Sequence, residues 1–222
     1  MLSEDYLLKL LKPLAYVIPR LLALRKAADY DDAIRLIEQT SQQLTGLEPA
    51  LIQALSAQSL TDVLAADSPI GAGQCIGLAA LFTEQGKIFE AQSRWADADN
   101  TYFNALYLLL RVLPNSSAGV ISEQRPLVDD LVFKLKGSDM PLTMRHNLFH
   151  FYASSGAYAH AEDALFDLIE WVGQQSPAAI KPYISDGVAF YHTLQAKSDA
   201  ELIAGDLPRD EVEQGLADLL AL

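Results

Sequence analysis

Two histidines four residues apart, His146 and His150, are the residues whose type and spacing best suit chemistry. On a helix, positions four apart share a face, so both imidazoles could bind one metal ion. The intervening Asn147-Leu148-Phe149 lacks the glutamate that acts as general base in a His-Glu-x-x-His hydrolytic site. No third ligand is evident in the sequence, although His160 is a candidate if it lies across a hairpin. The pair therefore reads as surface or groove histidines. A metal-dependent enzyme or small-ligand pocket near His146 and His150 is the alternative.

Other candidates weaken on inspection. The stretch Gly71-Ala72-Gly73-Gln74-Cys75-Ile76-Gly77 has the glycines of a nucleotide-binding loop. Such a loop needs a preceding strand, so that a sheet edge and a helix N-terminus together cradle phosphate. Residues 60–66 read as helix and no Gly-Lys-Ser/Thr follows, so the stretch is read as a permissive helix start. Cys75 would need an adjacent base to become a nucleophile, and the sequence identifies none. The acidic pairs Asp31-Asp32, Asp97 with Asp99, and Glu162-Asp163 fall in first turns of helices, where the helix dipole favours negative charge by about 0.3–1 kcal/mol. No catalytic, cofactor-binding or metal-binding residue is assigned, and a non-enzymatic protein is expected.

Composition sets the outer bounds. At 222 residues the chain can build one sizeable core or two small ones, and a single domain over 1–222 is expected. Half of it is apolar and a fifth charged, as in globular rather than disordered proteins. The net charge of -13 argues against a nucleic-acid partner, which selects for a basic face. One cysteine permits no disulfide within the chain, so a reducing, cytoplasmic setting is expected. Glu4 and Asp5 occupy the place where a signal peptide carries positive charge. No run approaches the ~20 apolar residues of a membrane span. Leu7, Leu10 or Leu11, Leu14, Val17 or Ile18, and Leu21 form an apolar stripe, which Pro13 and Pro19 should kink or split. The segment through Lys26 is basic, and it is read as packing on the protein's own core rather than on lipid.

The elements that must position these residues are all helical, with no convincing strand alternation and no sheet. Antiparallel hairpins are expected at about 14–45, 79–113 and 142–172, with C-terminal helices at about 178–222. Shorter helices are expected at 48–54, 61–66 (capped by Ser59 with Asp62) and 123–136. Asp139 with Pro141 should start the third hairpin, Gly46, Gly137 and Gly205 should end helices, and Ser198 with Glu201 forms a capping box. In the central stretch, Phe82, Gly86 and Phe89 face Trp95, Ala98, Tyr102, Ala105 and Leu109 at helical spacing. A turn signature, aromatic-x-x-Ala, recurs at Tyr30–Ala33, Trp95–Ala98 and Tyr158–Ala161, each preceded two residues back by Ala28, Ser93 or Gly156.

These residues resemble a tetratricopeptide repeat (TPR). With Gly86 on that repeat's helix-A glycine, Phe82 and Phe89 fall on its aromatic positions, Ala98 and Ala105 on its small ones, and Tyr102 on its helix-B aromatic. Leu110 stands where the closing proline would be. The signatures lie roughly 64 residues apart, about two repeat lengths, so the resemblance is to TPR-like hairpins with other helices between them. The whole arrangement, including the ending GDLPRDEVEQGLADLL, also looks like an uncharacterised bacterial helical family of unknown function.

The TPR resemblance implies a protein–protein interaction module or scaffold that binds a peptide or partner helix in a groove lined by helix A. By position it nominates Thr83, Lys87 and Glu90, and Thr143, His146 and His150. It does not imply the basic clamp that grips C-terminal carboxylates. A homodimer is a further expectation, because open repeat ends need capping.

Overall fold

A computed structural model describes residues 11–222 of the chain. The expected stripe residues Leu7 and Leu10 lie outside the described residues. Among the described residues there are twelve α-helices, two short 3-10 turns and no strand, so the fold is all-α. The chain falls into two compact units that part after Ser138.

One turn recurs three times. It follows α1 (Leu14–Lys26), α5 (Pro69–Ala91) and α8 (Leu142–Ser155), and leads into α2 (Tyr30–Thr45), α6 (Trp95–Val112) and α9 (Tyr158–Gln175). Ala28, Ser93 and Gly156 each take the left-handed conformation, at φ of 58°, 59° and 76°. The next residues, Asp29, Arg94 and Ala157, have nearly equal φ/ψ of -88/68°, -93/66° and -88/68°. Their amides donate five residues back, to Leu24, Phe89 and Tyr152 carbonyls at 3.0, 2.8 and 3.1 Å. This bond is the outer one of a Schellman cap, which satisfies helix-end carbonyls and reverses the chain. The small residues of the sequence signature are therefore its left-handed positions.

In the first unit, α5 packs along α6 and also against α1 and α2, while α7 (Ala118–Lys134) packs on α6. The short α3 (Pro49–Ala54) and α4 (Ala57–Val63) lie between the two hairpins in sequence. Leu14 and Leu21 share a buried cluster with Ala33, Ile37, Leu81 and Ile88, so the first helix covers its own stripe. Pro19 does not split α1. Pro13 stands at its N-cap position, where the missing N–H costs no helical bond. The central hairpin begins at Pro69, ten residues before the expected start, because the Ser68 hydroxyl caps the Gly71 amide at 3.1 Å. A side chain at Gly86 would run into the Tyr102 ring, so these two residues set how closely α5 and α6 approach.

Several expected details are corrected. Trp95 is 62% exposed, and the inward stripe of α6 starts at Ala98. The helix expected at 61–66 begins at Ala57, because Ser56 rather than Ser59 provides the cap. α7 starts at Ala118 rather than at 123, as Val120 and Ile121 are buried.

The second unit pairs α8 with α9, and α10 (Lys181–Gln195) packs on α9 and on α12 (Arg209–Leu220). Pro141 holds the N-cap of α8, and Asp139 instead accepts from the Trp171 indole at 3.3 Å. Ser198 and Glu201 form the expected capping box at the start of α11 (Asp199–Ala204). These bonds pull the Glu201 carboxyl down to about 2. The buried Tyr191 hydroxyl donates to Glu162, and both press against Gly215, where a Cβ would collide with them. α9, α10 and α12 meet at this point.

Two outcomes follow from this packing. A left-handed residue other than glycine costs roughly 1 kcal/mol. Ala28→Gly and Ser93→Gly are each expected to raise stability by about that amount in urea denaturation, and Gly156→Ala to lower it. Burial, with smaller contributions from Asp163, Glu211 and Asp218, raises the Glu162 carboxyl above its ordinary 4.5, against the opposing Tyr191 bond. A raised carboxyl binds its proton more tightly folded than unfolded, so its contribution is full below about 4.5 and lost as pH rises through the folded value. Glu162→Gln should therefore gain urea midpoint relative to the native chain between pH 4.5 and 7. Parallel pH profiles would refute the assignment.

Candidate functional site

The helical spacing of His146 and His150 places both on one face of α8, and α10 brings Asp186 against them. The His146 Nε2 lies 2.8 Å from Asp186 Oδ2 and 3.0 Å from His150 Nε2. The three ligand atoms all fall within 4.8 Å of one another. The two imidazoles meet edge to face, with ring centres 4.4 Å apart. Tyr183 sets its edge against His146, and Phe149, itself braced by Phe190, lies against His150. Partial burial of its ring pushes the His150 imidazole below its ordinary value and the neighbouring His146 adds to this, while Asp186 opposes it.

A cleft of about 360 Å³ opens beside the triad, with Phe149, Ala153, Ala189 and Phe190 among its apolar lining. His150 and Asp186 reach into it. His160, the third ligand considered from the sequence, stands on α9 against Tyr152 and is no part of the cluster. Asp186 lies 36 residues beyond His150, and no local pattern connects them.

The remaining nominated positions separate. Thr143 is exposed in the first turn of α8. Thr83 is 2% exposed and its hydroxyl donates to the Ala79 carbonyl at 2.8 Å, so it lines no groove. Lys87 and Glu90 do border an open cleft of about 690 Å³, but both are held by partners. Lys87 reaches the buried Glu84 at 2.9 Å and Asp130 at 4.0 Å, and Arg25 also pairs with Glu84 at 3.5 Å. Lys134 grips both oxygens of Glu90 at 2.9 and 2.8 Å. Three cations thus meet three carboxylates across α1, α5 and α7.

A second depression of about 590 Å³ lies on the first unit, formed by α2, α5 and α6 with Ile52 and Gln53 of α3. Gln53, Gln85, Gln92, Asn100 and Asn104 supply five side-chain amides to its wall. Ile34, Ile52, Phe82 and Phe89 supply apolar surface. Asp31 and Asp97 balance Arg35 and Arg94, so the lining carries no net charge in a chain of -13. Gln53 donates to Glu38 at 2.9 Å, whereas Gln85, Asn100 and Asn104 have no side-chain hydrogen bond among the described residues. Sequence reading missed these amides because they come from different helices. Asn100 and Asn104 are one turn apart, a signal too common to single out.

The glycine stretch 71–77 lies inside α5, mostly buried, with Gly71 tight against the Leu64 and Ala65 carbonyls. Burial pushes the Cys75 thiol up to about 12, which removes it as a nucleophile at neutral pH. The ion-pair cluster carries its own consequence. Lys87→Glu would set a further carboxylate beside Glu84, and stability should fall by about 1–3 kcal/mol in urea denaturation. An unchanged midpoint would show that the cluster contributes nothing.

No helix among the described residues is long and apolar enough to cross a membrane. No curated protein and no solved structure matches the chain. One family model matches residues 1–222, its whole length. The chain thus belongs to that family, a family of unknown function (DUF6483).

Proposed function

We propose that the protein is a non-enzymatic interaction module that holds an extended peptide segment of a partner protein in the amide-walled groove of its first unit. The observation that carries this reading is the set of amides without a side-chain hydrogen bond among the described residues, Gln85, Asn100 and Asn104, standing over apolar surface. A carboxamide offers one acceptor and two donors, which matches the N–H and C=O of a peptide main chain. Ile52 and Phe82 would take alternate side chains of an extended segment, which share one face because successive side chains point to opposite ones. A neutral lining favours a segment without dense charge. The likeness to TPR-like hairpins supports the same reading, with the binding surface moved from Lys87 and Glu90 to the groove bordered by α2, α5 and α6.

Random-peptide display against the purified chain tests it. Peptides enriched on the native protein are expected to bind the Gln85→Ala, Asn100→Ala, Asn104→Ala variant at least tenfold more weakly. Three lost hydrogen bonds at about 0.5–1.5 kcal/mol each account for that change. The helical signal and melting temperature should stay unchanged, because these side chains hold no hydrogen bond among the described residues. No enrichment, or equal binding by both proteins, would sink the proposal.

A further inference from the structure

We infer that His146, His150 and Asp186 form a binding site for a borderline divalent transition-metal ion, zinc or one of its neighbours in the first row. This site is in the second unit and does not depend on the peptide groove. Two imidazole nitrogens and one carboxylate oxygen are brought together from α8 and α10, with adjacent separations of 3.0 and 2.8 Å. Ligand atoms about 2.0–2.1 Å from a tetrahedral zinc ion lie about 3.3–3.4 Å apart, so the two short separations need open by only a few tenths of an ångström to admit one. The third separation is within 4.8 Å.

Nitrogen-rich sets of this kind select zinc, copper, nickel or iron over magnesium and calcium, which prefer oxygen ligands. Three protein ligands leave coordination positions open, as in metal sites that admit a further molecule. Those positions border the cleft of about 360 Å³ with its Phe149 and Phe190 walls. The fourth ligand therefore belongs to water or to a small molecule with an apolar body and one metal-seeking group. Asp186 has 40% of its side chain exposed and His146 32%, so an ion can reach the site.

The test is calorimetric titration of zinc chloride into the full chain after chelator treatment, with magnesium chloride beside it. One zinc ion per chain is expected, at micromolar affinity or tighter, with a rise in melting temperature and no response to magnesium. His150→Ala and Asp186→Asn should each weaken zinc at least tenfold, and His160→Ala should leave it unchanged. Cobalt titration supplies a second readout, since imidazole coordination gives visible absorption that the two ligand variants should lose. Absence of stoichiometric zinc binding, or equal binding by the His150 and Asp186 variants, would overturn the assignment. So would loss of binding on changing His160.

Discussion

The chain reverses direction three times through one backbone device, and the helices take their places from it. A left-handed residue followed by one near φ -90° and ψ 67° closes each first helix and launches the second. The device satisfies helix-end carbonyls within the chain and fixes the angle at which the next helix starts. Two of the three copies use alanine or serine where glycine would be easier. The geometry at Ala28 and Ser93 is thus imposed by the packing of the helices on either side.

Close approach is the second constraint. Gly86 under the Tyr102 ring, Gly187 between Leu165 and Leu219, and Gly215 under Tyr191 and Glu162 are places where a Cβ would not fit. Each lets an aromatic or aliphatic side chain settle onto bare backbone, which raises packing density without a cavity. In the second unit this has a functional reach. The Tyr191–Glu162 bond holds α10 on α9, and Asp186 is carried on α10 towards the two histidines of α8.

Charge is spent differently in different places. Around Glu84 and Glu90, cations and carboxylates of the first unit satisfy one another, so side chains that a repeat resemblance would offer to a partner are held inside the molecule. Around Gln85, Asn100 and Asn104 the reverse holds, with hydrogen-bonding groups that are not consumed among the described residues. A surface that recognises a partner must keep its polar groups available, and this separates the two depressions more clearly than their similar volumes.

Local chemistry was legible in the sequence. Periodicity announced an all-α chain, Ser198 with Glu201 announced a capping box, and Ala28, Ser93 and Gly156 marked the turns, because each depends on residues within a few positions. Boundaries were missed where a neighbour decided them, as when Ser56 displaced Ser59 as a cap, or burial of Val120 and Ile121 drew α7 forward. Two of the three ligands of the metal candidate could be read, since His146 and His150 lie one helical turn apart. Asp186 could not, because its place beside them arises from the docking of α10 on α9. The five amides of the groove and the pairings of Arg25 with Glu84 and of Lys134 with Glu90 were equally hidden. They unite helices distant along the chain, and only the folded packing decides which side chains meet.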